Sequence, residues 1–153
     1  MSYYEFLLFG HLLCVAAWVG RDLMIQAFYL RSRAAGPAQF VRFARDVEWI
    51  GLRLLNPAAV LVVMFGILLV IEVDAYGFSQ FWISAGLAMF LASAVTGAGF
   101  LGPESGRIGA LSEEHGPEDP DVQRRIGRVL LISRIAFALL VLVVLDMVLK
   151  PGL

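Results

Sequence analysis

What most limits the fold of this chain is how many long apolar runs it holds for its length. Its 153 residues contain four mostly apolar stretches, at about 6–30, 49–71, 81–101 and 129–149. A helix rises 1.5 Å per residue, so a stretch of about 20 residues crosses a hydrocarbon layer of about 30 Å. Composition points the same way. The chain is 59% hydrophobic and 16% charged, where a soluble domain averages about 45–50% apolar and about 25% charged residues. Its mean hydropathy is +0.79. That leaves too little polar surface to cover a water-soluble globule. Backbone groups in lipid must be hydrogen-bonded within the segment, which makes such runs helices. The expected fold is all-α: a single membrane domain over residues 1–153, built as a four-helix up-down-up-down bundle in a lipid bilayer.

The sequence between the runs supports this division. In "GPAQFVRFARDVEW", Pro37 suits a first helical turn, and Phe40, Phe43, Ala44 and Val47 recur at helical spacing, with Arg42, Arg45 and Asp46 on other faces. That is the pattern of an interfacial helix leading into the second span. "EDPDVQRR" offers Asp119 as an N-cap and Pro120 as the following residue, a helix start before the fourth span. "DAYGFS" is short enough to make spans two and three a hairpin. "GPESGRIGALSEEHGPEDPDVQ", polar and rich in Gly and Pro, reads as a flexible loop. The loops at about 31–48 and 102–128 carry Arg31, Arg33, Arg42, Arg45, Arg107, Arg124, Arg125 and Arg128; the opposite side has only Lys150. The positive-inside rule places both loops in the cytoplasm and both termini outside it. No Lys or Arg precedes Arg21, so the first run lacks the basic start of a signal peptide and reads as a retained helix.

Several functions are excluded or disfavoured. A net charge of −1 argues against a nucleic-acid partner, and the single cysteine, Cys14, rules out an internal disulfide framework. His115 is a lone histidine beside carboxylates and reads as solvated, since metal sites need converging ligands. Met64, Met89 and Met147 lie on separate spans and read as packing. Ser93 with Gly97, and Ala94 with Ala98, allow close helix approach. Trp49, Trp82, Tyr3, Tyr4 and Tyr76 sit near span ends, where interfacial anchors are expected.

Polar residues inside the runs are the candidates for function. On the first span His11, Val15, Trp18 and Asp22 share one stripe, with Cys14 and Arg21 beside it. A charged side chain at the helix centre costs about 2.5–3.5 kcal/mol to insert, so such residues pair or work. Spans two and four bring Arg53 and Arg134 to the depth of Asp22. Pro57 removes a hydrogen bond from the Arg53 carbonyl, which Arg21 could then engage. Arg21, Asp22, Arg53 and Arg134 are expected to form an intramembrane polar network that holds three helices together, unless the arginines snorkel to headgroups instead, or to serve a proton path or anion site. Asp146 could orient His11, or pair instead with Lys150 one turn on. His11 itself is either hydrogen-bonded to a neighbouring helix or a ligand.

A resemblance sharpens the choice for His11. "HLLCVAAWVG" resembles the first helix of the HemJ-type and CopD-type bacterial membrane proteins, with a histidine followed seven residues later by tryptophan. "EWIGLRLLNPAAVLVVMFGILLV" is similar to their second helix and "MVLKP" to their closing motif. The chain is most similar to their small uncharacterised integral membrane relatives. The resemblance implies the bacterial inner membrane and a b-type haem with His11 as the iron ligand and Trp18 packed beside it. Where HemJ-type proteins have Trp-x-His-x-Lys, this chain has "WISAG": Trp82 remains, and Ser84 and Gly86 replace the histidine and lysine. Protoporphyrinogen oxidation is therefore not expected, no catalytic residue is assigned, and copper lacks a ligand set. Three functions remain: a non-enzymatic accessory or scaffold subunit of a larger membrane complex or homo-oligomer, which the small size favours; a haem-binding redox protein; and a carrier of protons or small solutes.

Overall fold

Helix α1 (Tyr3–Ala34) begins at a reciprocal cap. Ser2 Oγ accepts from the Glu5 backbone N–H at 3.2 Å, and a Glu5 carboxylate oxygen accepts from the Ser2 N–H at 2.7 Å. The helix ends on Arg31 and Arg33, favourable charges for a C-terminus. Gly36, at φ 106°, then turns the chain so that Pro37 can open α2 (Pro37–Ile50). In the computed structural model, residues 51, 52, 54, 55 and 153, and the side chains of Glu48, Ile50 and Asn56, lie outside the described residues. The remaining helices are α3 (Asn56–Glu72), α4 (Phe81–Thr96), α5 (Gly102–His115) and α6 (Pro120–Leu149).

All of these described elements are helical. Tyr3–Ala34, Phe81–His115 and Pro120–Leu149 are long and apolar enough to cross a membrane. The expected second span, about 49–71, includes residues that are not described; its described helix, α3, has 17 residues. That is about 25 Å at the standard rise, shorter than the other three.

α1 packs along α3, and α4 along α6; α1 also touches α6, whereas α3 and α4 meet sparsely. Small residues bring each pair together. A Cβ on Gly10 would lie 2.7 Å from the Phe65 ring, and one on Gly66 would lie 3.2 Å from His11 Cε1. Between α4 and α6, Gly86 lies under the Met147 methyl, and buried Ser93 donates to the Ala136 carbonyl at 3.4 Å. Ser93 therefore serves a close helix contact; its expected partner Gly97 faces open space.

The region after the third span differs from expectation. The helix does not stop near residue 101. A π turn at Gly97–Leu101, in which the Gly102 N–H reaches the Gly97 carbonyl, carries the chain into α5. Pro103 has no N–H to donate, and the π turn absorbs the break in the ladder. Residues 102–115 are thus a helix packed on α2, not part of a flexible loop. Phe40, Val41 and Ala44 of α2 join Tyr29, Ile108, Val122 and Ile126 in a core at the arginine-rich end. Gly109 admits the Arg45 side chain, which bonds the Gly109 carbonyl at 3.1 Å and pairs with Glu113. Glu104 is buried and accepts from Arg125 of α6 at 2.5 Å. Asp119 caps α6 as expected, accepting from the Asp121 N–H at 2.8 Å.

Candidate functional site

A second core, at mid-height, joins Trp18, Val62, Phe90, Leu140 and Val143, with the Trp18 and Phe90 rings 5.4 Å apart. Those five residues also line a cavity of about 470 Å³ between the α1–α3 and α4–α6 pairs. Drug-sized ligands occupy pockets of about 300–1,000 Å³. Along α1 the lining runs from Tyr4 through His11 to Val19, roughly 20 Å of helix. Tyr76, Phe78 and Lys150 mark the end that carries both chain termini.

The wall is apolar except for a few placed groups. His11 Nδ1 lies 3.1 Å from the Val62 carbonyl. A carbonyl can only accept, so Nδ1 carries a proton; in a neutral ring this leaves the Nε2 lone pair as an acceptor. Histidines that ligate metals are commonly anchored this way, through the other nitrogen to a backbone carbonyl. Trp18 and Trp82 also line the cavity, and the indole N–H of each is buried without a hydrogen-bond partner among the described residues. Lys150 Nζ donates to the Tyr76 hydroxyl at 2.8 Å and lies 5.4 Å from the Trp82 ring centre.

The expected site residues separate into two groups. His11 and Trp18 share the cavity. Among the described residues, Arg21, Asp22, Arg53 and Arg134 are not joined in one network. Arg21 pairs with its neighbour Asp22 at 2.6 Å and lies 5.8 Å from the Trp18 ring centre. Arg53 is exposed over the Trp49 ring at 4.8 Å, and Arg134 is exposed with no ion pair among the described residues. The reason is the rotation of α6: its buried positions include Ser133, Ala136, Leu140 and Val143, and one residue further on turns Arg134 about 100° away. Where Arg134 was expected, Gln26 bridges α1 to α6 by donating to Ser133 Oγ at 2.7 Å.

Asp146 neither orients His11 nor pairs with Lys150 among the described contacts. His11 faces Val62 and Gly66 on α3, whereas the buried Asp146 Oδ2 lies against Gly86 on α4 without a hydrogen-bond partner among the described residues. Trp82, expected as an interfacial anchor, is buried against the cavity. Ser84 is exposed and bonds its own helix at the Phe81 and Gln80 carbonyls. Gly86 is closed over by Met147. Neither position of "WISAG" offers a metal donor to the cavity. His115 is exposed at the far end of α5. No group of three or more His, Cys, Asp or Glu is placed to hold a metal ion among the described residues.

Sequence reasoning did not find the Lys150–Tyr76–Trp82 cluster. Its signal was there: three polar-tipped residues at the ends of separate runs, all on the side with both termini. Comparison of the chain with protein-family models, curated proteins and solved structures gives no match.

Proposed function

We propose that this chain is an integral membrane binding protein that holds a lipophilic ligand in the cavity, with His11 as the polar anchor. The observation that carries this reading is the 3.1 Å contact between His11 Nδ1 and the Val62 carbonyl. Its Nδ1–H is committed to the Val62 carbonyl, which leaves Nε2 as an acceptor on a cavity-lining residue. In this reading α3 is a fourth, shorter crossing and the bundle runs up-down-up-down. The arginine-rich end lies in the cytoplasm and both termini lie outside, as the loop charges require.

A b-type haem is the ligand to test first, in line with the HemJ-type resemblance. The residues fit a single iron donor: His11 would hold the iron, and Trp18 and Phe90 would pack against the macrocycle. Bound there, haem would supply one-electron redox chemistry. This chain's own part is to fix the imidazole through Val62 and to keep water out with an apolar wall. With Ser84 and Gly86 giving no second donor, protoporphyrinogen oxidation is not part of the proposal.

The accessory-subunit reading gains no surface of its own. Large exposed apolar side chains are spread over all the long helices, among them Phe9, Leu23, Val60, Phe81, Leu131 and Val148, as lipid contact requires. A ligand-holding subunit within a larger complex or homo-oligomer is compatible with the cavity. Solute carriage has less support, because Arg21 and Asp22 neutralise each other locally.

The test is an optical spectrum of full-length protein, expressed with haem supplied and purified in mild detergent, followed by solvent extraction and mass spectrometry. A Soret band that is lost in His11→Ala is the expected result for haem. A stoichiometric lipophilic compound without a Soret band would keep the binding reading and remove haem. Neither signal, together with no saturable quenching of tryptophan fluorescence by added haemin, would overturn the proposal.

A further inference from the structure

We propose that Lys150, Tyr76 and Trp82 form a subsite at the cavity mouth for an anionic oxygen head, a carboxylate or its chemical equivalent, on an amphiphile whose apolar body lies in the cavity. The inference rests on the cavity being a ligand site, and it adds the chemical class of the ligand.

The cluster is made of donors. Lys150 Nζ spends one hydrogen on the Tyr76 hydroxyl and keeps two. Tyr76, having accepted, still has its own O–H to give. The Trp82 Nε1–H is buried without a partner among the described residues. The Lys150 ammonium lies 5.1 and 5.4 Å from the Tyr76 and Trp82 ring centres, which holds it over the mouth rather than free in solvent. Donors from three residues with a net positive charge and no carboxylate among them call for an anionic acceptor.

The acids close in sequence, Asp74 and Asp146, make no ion pair with Lys150 among the described residues. Asp146 is one turn before Lys150, but its side chain turns to Gly86. The backbone also singles out this position. Lys150 is the one non-glycine with positive φ among the described residues, φ 43° and ψ 60°, at the end of α6. Glycine is the usual residue for that left-handed cap, so a lysine there is held against its backbone preference. The capping bond from the Lys150 N–H to the Asp146 carbonyl, 2.8 Å, fixes the base of the side chain.

The test uses full-length protein in phosphatidylcholine nanodiscs, titrated with a long-chain fatty acid brominated near its tail and with the matching alcohol; saturable quenching of tryptophan fluorescence is the readout. Wild type should bind the acid about tenfold or more tightly than the alcohol, the ratio expected of a charge-assisted hydrogen bond. Lys150→Gln should abolish that preference, Lys150→Arg should keep it, and Tyr76→Phe, which leaves the helix cap untouched, should reduce it. Phosphatidylglycerol in place of phosphatidylcholine separates two sources of the same head. Weaker acid binding in wild type but not in Lys150→Gln supports the subsite with a bilayer lipid as its occupant. Acid binding unchanged by the swap supports it with a free carboxylated ligand. Equal binding of acid and alcohol to wild type would overturn the subsite and leave the cavity reading standing. Saturable binding of neither would overturn both.

Discussion

Replacing Glu104 with Gln tests whether α5 is a packed part of the fold. Glu104 has 3% of its side chain exposed and holds two arginines of different standing. Arg125 of α6 donates to one carboxylate oxygen at 2.5 Å and is 35% exposed; Arg107, one turn along α5, reaches the other at 3.4 Å and is 69% exposed. The Arg107 contact, long and solvated, is worth about 0–1 kcal/mol. The Arg125 contact is the charge-assisted kind, about 1.5–3 kcal/mol, and a neutral acceptor in its place keeps about half of that. Gln also puts an NH₂ group where a carboxylate oxygen faced donors. Left buried and unsatisfied, that group costs about 1–3 kcal/mol. The sum is a loss of about 2–4 kcal/mol, or roughly 5–15 °C in Tm for a chain of this size.

Thermal unfolding of the purified protein in mild detergent measures this, with hydrogen exchange over residues 102–115 as a second readout. Arg125→Ala should match or exceed Glu104→Gln, because it strands a buried carboxylate, at a cost of about 3–5 kcal/mol. Arg107→Ala should change Tm by no more than about 4 °C. If Arg107→Ala equalled Arg125→Ala, or if Glu104→Gln left Tm and exchange over α5 unchanged, the description of α5 as a clamped helix would be refuted.

Two further outcomes follow from the contacts inside the long helices. Gly10→Leu should destabilise by about 1–3 kcal/mol by driving a side chain into the Phe65 ring, whereas Gly20→Ala, with nothing among the described residues within 4 Å of the new methyl, should stabilise by about 0.5–1 kcal/mol; paired melting curves check the opposite signs. Asp22→Asn should cost about 3–5 kcal/mol because it leaves the Arg21 guanidinium, whose Nε is already buried without a partner among the described residues, uncompensated; the double variant Arg21→Gln with Asp22→Asn should recover part of that loss in the same melts.

Helix positions were legible where a chemical rule acts locally. The Asp119 cap, the apolar face of α2 and the stripe through His11 and Trp18 follow from residue spacing alone. What spacing does not fix is how each helix is rotated against its neighbours. Depth placed Arg134 level with Asp22, yet the buried face of α6 passes through Ser133, and a step of one residue decides the contact. α5 was hidden for another reason. Gly102, Gly106, Gly109 and Pro103 all read as breakers, but the π turn accommodates the proline, and Gly109 is there to admit Arg45. Glu104 lay inside the segment read as a loop, and its partner Arg125 comes from α6, 21 residues on.

Small residues also make the two tight helix pairs that flank the cavity. Gly10 and Gly66 let α1 and α3 approach until Phe65 and His11 touch the facing backbone; Gly86 and Ser93 do this for α4 and α6. Between the pairs Trp18 packs against Phe90 at mid-height, while at the mouth Lys150 at the end of α6 meets Trp82 of α4 and Tyr76 of the connection between α3 and α4. The cavity lies between the two tight pairs, and His11 lines it with its ring against Gly66 of α3. Filling Gly66 with a methyl group would therefore push on the imidazole while leaving the mouth unaltered, so a Gly66→Ala variant should disturb the His11–Val62 hydrogen bond before it disturbs the fold.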